Sequence, residues 1–171
     1  MHVRMLVLTV AVAACAPTPA PSPPATASLL GDGAGELAPT DQEAIASLLG
    51  FELSAEGVLV DGTCGEPVHV EHVHVRDLDQ DGTPEILFLG GNTCTSGGTG
   101  QSVLLFVRDG DSGYRVALNL PAAAYELLER PAGMPDVRLV GMRPCAGVWR
   151  WTGTDYDHER NEPLEPGGCD L

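Results

Sequence analysis

DLDQDGTPEILF, residues Asp77–Phe88, sets aspartates at alternate positions 77, 79 and 81, then Gly82, then Glu85, then a run of β-forming apolar residues. So much like charge in one short segment is costly unless a cation sits among it. Calcium takes roughly six to eight hard oxygens at flexible distances, and this spacing turns the acidic side chains inward. Asp77, Asp79 and Asp81 fall at places 1, 3 and 5 of such a loop, and Gly82 at place 6 permits the sharp turn. Thr83 at place 7 offers a main-chain carbonyl, and Glu85 at place 9 binds directly or through water. A helix–loop–helix EF-hand needs a bidentate glutamate at place 12, where this chain has Phe88, and a helix beyond it. Strand formers follow instead, so the loop joins two strands. The competing reading is an exposed acidic hairpin turn at Asp81-Gly82 that holds no metal.

The segment resembles the strand–loop–strand calcium motif of FG-GAP/VCBS-type repeats, D-x-D-x-D-G-x-x-[DE] followed by an apolar strand, over Arg76–Phe88. The resemblance implies calcium held by Asp77, Asp79, Asp81, the Thr83 carbonyl and Glu85. Those repeats build propellers from several copies, and this chain carries one copy and no internal repeat, which argues against a propeller. More loosely, the chain resembles bacterial lipoproteins in which one such motif precedes a Gly/Cys loop and a late Trp-rich strand.

Period-two alternation surrounds the loop. PVHVEHVHVR, Pro67–Arg76, alternates as Val68/Val70 and then Val73/Val75, and the change of phase at Glu71-His72 implies a bulge. EILFLGG reads as a strand buried on both faces. SVLLFVRD and YRVALNL form a hairpin around GDSG. GVLV, DVRLVG and VWRWTG are further strands, and AYELLER, which suits strand or helix, is read as a strand. Before them, Thr40-Asp41-Gln42-Glu43 matches a capping box, Ala44, Ile45, Leu48 and Leu49 share one helical face, and Gly50 ends the helix. The expectation is an α+β fold, one N-terminal helix and a mostly antiparallel meander of about seven strands with a dominant sheet.

The N-terminus carries a second signal. MHVR is a short charged start, Met5–Ala14 is an apolar run too short to span a bilayer, and small residues lead to Cys15. Val12-Ala13-Ala14-Cys15 resembles a bacterial lipobox. That resemblance implies a signal peptide over residues 1–14 that is removed, and lipid (palmitate among it) on Cys15. Residues 15–39 then form the lipidated cysteine and a Pro-rich tether, and residues 40–171 a single globular domain. The implied address is the bacterial cell envelope, lipid-anchored at the outer membrane or cell surface, with the periplasmic face also open. Ala16 stands where an inner-membrane retention aspartate would be.

With Cys15 acylated, Cys64, Cys94, Cys145 and Cys169 remain, an even set suited to two disulfides in an exported protein. If Arg76 faces Glu85, the same register puts Cys64 opposite position 97, near Cys94. This favours Cys64–Cys94 and leaves Cys145–Cys169.

The chain of 171 residues has a formal charge of −15 and no lysine, which argues against nucleic acid or an anionic bilayer surface as partner. His69, His72 and His74, with His158 as a conceivable addition, are candidates for zinc, against the plainer reading of an exposed strand face. Asp155 and Asp157 are a candidate second ion site or a solvated tail segment. Trp149, Trp151 and Tyr156 are an aromatic platform or core packing. The Gly90–Ser102 loop lacks the lysine of a Walker A motif and is not G-x-S-x-G. No catalytic constellation emerges. The expected function is a calcium-stabilised binding or structural domain of the envelope, not an enzyme, with a protein or glycan partner. The alternatives are a hydrolase or enzyme inhibitor using the Gly90–Ser102 loop and the Trp149/Trp151 strand, or a zinc-binding protein.

Overall fold

The computed structural model describes residues 30–110 and 113–170. The expected signal peptide, Cys15 and the Pro-rich segment to Ser28 lie outside the described residues, as do Asp111 and Ser112 of the GDSG turn.

A 3-10 turn, Asp32–Glu36, leads into helix α1, Pro39–Leu49. The helix starts one residue before the expected capping residue Thr40. Pro39 fills the first helical position, where its fixed φ and missing N–H are no handicap, and Ala38 precedes it without a side-chain cap. The Thr40–Glu43 capping box therefore does not form. Gln42 instead donates to the carbonyls of Ala34 and Leu37 (3.1 and 3.2 Å), tying α1 to the preceding turn. Gly50 ends the helix at φ 68, as expected.

The packed chain begins earlier than the expected boundary at Thr40. Leu30, Ala34 and Leu37 recur about one helical turn apart and are all buried. The turn lies directly on a strand: a Cβ on Gly33 would stand 2.2 Å from the Val73 carbonyl oxygen. Only glycine allows that approach.

Ten strands follow among the described residues, not about seven. A short ribbon pairs β1, Phe51–Leu53, with β2, Leu59–Asp61. β3 (His69–Arg76), β4 (Glu85–Gly91), β5 (Ser102–Arg108) and β6 (Tyr114–Pro121) form one antiparallel meander. β7 (Ala124–Leu128), β8 (Asp136–Val140), β9 (Cys145–Trp151) and β10 (Tyr156–Pro163) form a second. The single dominant sheet of the expectation is thus two four-stranded sheets. Eight of the ten coincide with segments named from the sequence; the other two are β1, too short to show alternation, and β10, where the expectation had a solvated tail. In β10 only Tyr156 is buried, so the apolar signal of a strand is almost missing.

The first sheet carries cores on both faces. Leu87, Leu89, Val103 and Leu105 pack toward Val137, Leu139 and Tyr156 of the second sheet. Ile86, Phe88, Leu104 and Phe106 pack toward Ile45, Leu30 and Leu37. Every residue of β4 is buried, as its unbroken apolar run predicts. β3 and β4 pair with Arg76 opposite Glu85, and the register shifts between Val70 and His72, the expected bulge. Cys64 and Cys94 stand at disulfide distance with Cα atoms 6.7 Å apart, and Cys145 and Cys169 with Cα atoms 4.9 Å apart.

Candidate metal centre

The acidic loop closes the β3–β4 hairpin beyond the Arg76–Glu85 pair. Leu78, 8 % exposed, is its apolar anchor in the core between the sheets. Gln80 at φ 64 and Gly82 at φ 92 coil the backbone tightly. That coil turns main-chain N–H groups onto the carboxylates. Asp77 accepts from Asp81 N–H at 3.1 Å and from Gly82 N–H at 3.0 Å, and Asp79 accepts from Asp81 N–H at 3.2 Å. Glu85 reaches back across the loop to accept from Leu78 N–H at 2.8 Å.

One carboxylate oxygen each from Asp77, Asp79 and Glu85 gather within 4.8 Å of one another. Asp81, expected at place 5, stands outside this group; it is exposed and accepts from Thr83 N–H at 2.7 Å. Thr83, expected through its carbonyl, is half-buried and enters the hydrogen bonding through that N–H. The loop thus brings together three of the four acidic side chains.

Glu85 is 5 % exposed, and its pKa is pushed up to about 7. Burial is the main cause, and the charges of Asp79, Asp81 and Asp77 add to it, while the Leu78 N–H opposes it. No arginine among the described residues compensates: Arg76, opposite in register, stands 3.8 Å from Glu129 instead. Such a site can hold a proton or, in its place, a cation. Its donors are all oxygens, which suits hard divalent ions better than the soft or imidazole-preferring metals.

The other sequence candidates fare differently. His72 and His74 stack at 5.6 Å, and His74 Nδ1 sits 2.7 Å from the Tyr125 hydroxyl. His69 lies beyond the bulge, and His158 on β10 engages Asn161 and the edge of Trp149. Among the described residues the acidic loop alone gathers three or more metal-capable side chains, so the histidines do not assemble into a comparable centre. Trp149 and Trp151 pack against the core between the sheets, and the Tyr156 hydroxyl donates to the Pro135 carbonyl at 2.8 Å. Tyr156 is a core residue, while Trp149 and Trp151 are half-buried against it. Asp155 pairs with Arg115 at 2.9 Å.

Sequence reasoning missed one charged cluster on the second sheet. Asp136, 4 % exposed, receives two hydrogen bonds from Arg150, at 3.2 and 3.0 Å. Arg160 and Arg130 stand at 3.7 and 3.8 Å from it. The Arg150 hydrogen bond holds the Asp136 carboxyl below the usual range. Its signal was the alternation of charge along neighbouring strands, Asp136 and Arg138 on β8, Arg150 on β9, Arg160 and Glu162 on β10.

No protein-family model, no curated protein and no solved structure matches this chain.

Proposed function

We propose that the chain is a lipid-anchored protein of the bacterial cell envelope whose single domain is stabilised by calcium and serves in binding or structure, not catalysis. The observation that carries the calcium reading is the convergence of Asp77, Asp79 and Glu85 around a buried carboxylate with no arginine beside it. Calcium fits these donors because it accepts carboxylates in one- or two-oxygen modes and completes its shell with carbonyls and water. Bound there, it would supply the positive charge that the loop lacks. Thr83 and Asp81 border the same loop and are the remaining ligands that the motif implies.

The anchoring reading rests on the charged start, short apolar run and small residues before Cys15. It gives the protein a membrane contact through lipid and leaves the folded domain free for an envelope protein or a glycan.

Thermal unfolding in calcium and in excess chelator tests the site. Calcium raises the melting temperature of the wild type, and Asp79→Ala removes that gain; identical melting curves in calcium and chelator would refute the reading. Mass spectrometry of the membrane fraction tests the anchor, with Cys15→Ser releasing the protein to the soluble fraction.

A further inference from the structure

The two ends of β4 differ. Its first residue, Glu85, belongs to the acidic loop; its last two, Gly90 and Gly91, border a cleft of about 170 Å³ between the first sheet, the β1–β2 ribbon and the short helix α2, Thr93–Ser96. A cavity of about 150 Å³ accepts benzene, so the cleft has room for one six-membered ring.

Its walls are polar in a way the fold alone does not require. Six polar or charged residues are buried among the described residues, and three of them, Asp61, Ser96 and Ser102, line this cleft. Burying polar groups costs free energy unless their hydrogen bonds are made. Asp61 is 3 % exposed; its Oδ1 accepts from Thr63 N–H at 2.8 Å and Cys64 N–H at 3.3 Å, while no described residue donates to its Oδ2. The hydroxyls of Ser96 and Ser102 lie 2.8 Å apart and share one hydrogen bond, which leaves one O–H over. The cleft therefore offers an unused carboxylate acceptor and an unused hydroxyl donor.

Its other surfaces are apolar. Leu49, Phe51 and Leu104 line it, and the Phe51 ring is itself held against Phe88 at 5.8 Å. The polar walls are also fixed in place. The Cys64–Cys94 pair ties the segment after Asp61 to α2, and Asn92 caps that helix through the N–H groups of Cys94 and Thr95. Gly91, at φ 136, lets Ser96 close down: a Cβ there would stand 2.8 Å from the Ser96 hydroxyl. Walls set before the ligand arrives reduce the ordering cost of binding.

We propose that this cleft binds one neutral sugar ring. Such a ring donates hydroxyls to a carboxylate, accepts from a serine and lays a C–H face on apolar side chains. A negatively charged ring is disfavoured by Asp61, since none of the residues lining the cleft is basic. The proposal names a ligand for the binding role given above and rests on that reading only in treating the domain as a binding module; it does not depend on the cation.

The test is a ligand-observed NMR titration of the lipid-free chain with methyl glycosides of neutral hexoses and N-acetylhexosamines, and with uronic acids as the charge control. Oligosaccharides ending in the same residue separate a free sugar from the end of a glycan chain as the source. Runs in calcium and in chelator, at a temperature where both forms are folded, separate this site from the acidic loop. The expected result is saturable binding of a neutral ring in both media, no uronic acid binding, and about tenfold weaker binding in Asp61→Asn. Asn119→Phe, an exposed position at the cleft, weakens it likewise and decides the matter if Asp61→Asn does not fold. Absence of saturable binding by any neutral ring up to on the order of 10 mM, or wild-type binding by Asn119→Phe, overturns the proposal.

Discussion

Glu85 and Asp136 are two carboxylates buried to nearly the same extent, 5 % and 4 % exposed, and they are displaced in opposite directions. Asp136 sits on the second sheet with Arg150 bonded to it and Arg130 and Arg160 within 4 Å, and its pKa is lowered. Glu85 sits at the end of β4 facing Asp77 and Asp79, and its pKa is raised to about 7. Burial acts against ionisation in both. The difference is where the compensating charge comes from. Asp136 draws it from neighbouring side chains, so its site is complete in the folded chain. Among the described residues Glu85 has no such neighbour, and the compensating charge we propose for it arrives from solution.

The sharpest way to break this comparison is to remove the self-sufficient carboxylate. Asp136→Asn strands Arg150 without its bidentate partner, and truncating one side of a buried pair commonly costs about 3–5 kcal/mol. Arg150 is 39 % exposed and can be rehydrated, so the expected loss in denaturant unfolding at neutral pH falls short of that range. The sign with pH follows from linkage. Asp136 has a folded pKa below its unfolded one, so its contribution is present above the unfolded value near 3.8 and is lost as pH falls through the lowered folded value. The gap between wild type and Asp136→Asn therefore closes in strong acid. A gap that stays constant down to that range means the side chain acts through packing and not through charge.

The second way is to supply what the acidic loop lacks. At about one hundred times its dissociation constant, a ligand that binds only the folded state adds about 2.7 kcal/mol. For a chain of this size that is a rise of roughly 5–10 °C in melting temperature. The expected rise is confined to the loop: Asp79→Ala abolishes it, while Asp136→Asn retains it on its lower baseline. Magnesium, which wants a tighter octahedron, gives a smaller rise. Equal rises in Asp79→Ala and wild type would place any calcium elsewhere.

The two sites were unequally legible in the sequence, for a physical reason. The acidic loop is local: three of its four acidic side chains converge because they lie within nine residues of one hairpin, and the same hairpin carries the bulge at Glu71 and the register that brings Cys64 near Cys94. Spacing did not disclose the backbone coil at Gln80, which leaves Asp81 outside the converging group. The Asp136 cluster joins β8, β9, β10 and the segment before β8, so no window of sequence contains it. β10 was missed for a related reason, because Asp157, His158, Glu159, Arg160 and Asn161 are exposed and give no apolar rhythm. Leu30, Ala34 and Leu37 were read as tether because glycine and proline surround them, yet the close approach that Gly33 permits is what lays them on β3. Local pairing is readable from alternation, whereas packing between distant segments depends on partners the alternation does not name.

The smallest expected effect is also the one that separates the two sites by sign. Folded Glu85 titrates at about 7 and unfolded at its ordinary value near 4.5, so the folded state holds the extra proton between those values. In chelator, its contribution therefore weakens folding as pH rises from about 4.5 to about 7, the reverse of the acid loss at Asp136. Glu85→Gln keeps the shape and can accept from Leu78 N–H through its amide oxygen, but it carries no charge. In chelator at pH 8 it is expected to be more stable than wild type by about 1–2 kcal/mol, an advantage that vanishes near pH 4. Calcium then reverses the order at pH 8, because the glutamine supplies one weak neutral donor where the carboxylate supplies charge. A Glu85→Gln protein that is less stable than wild type in chelator at pH 8 would show that Glu85 is already compensated within the chain, and the contrast with Asp136 would disappear.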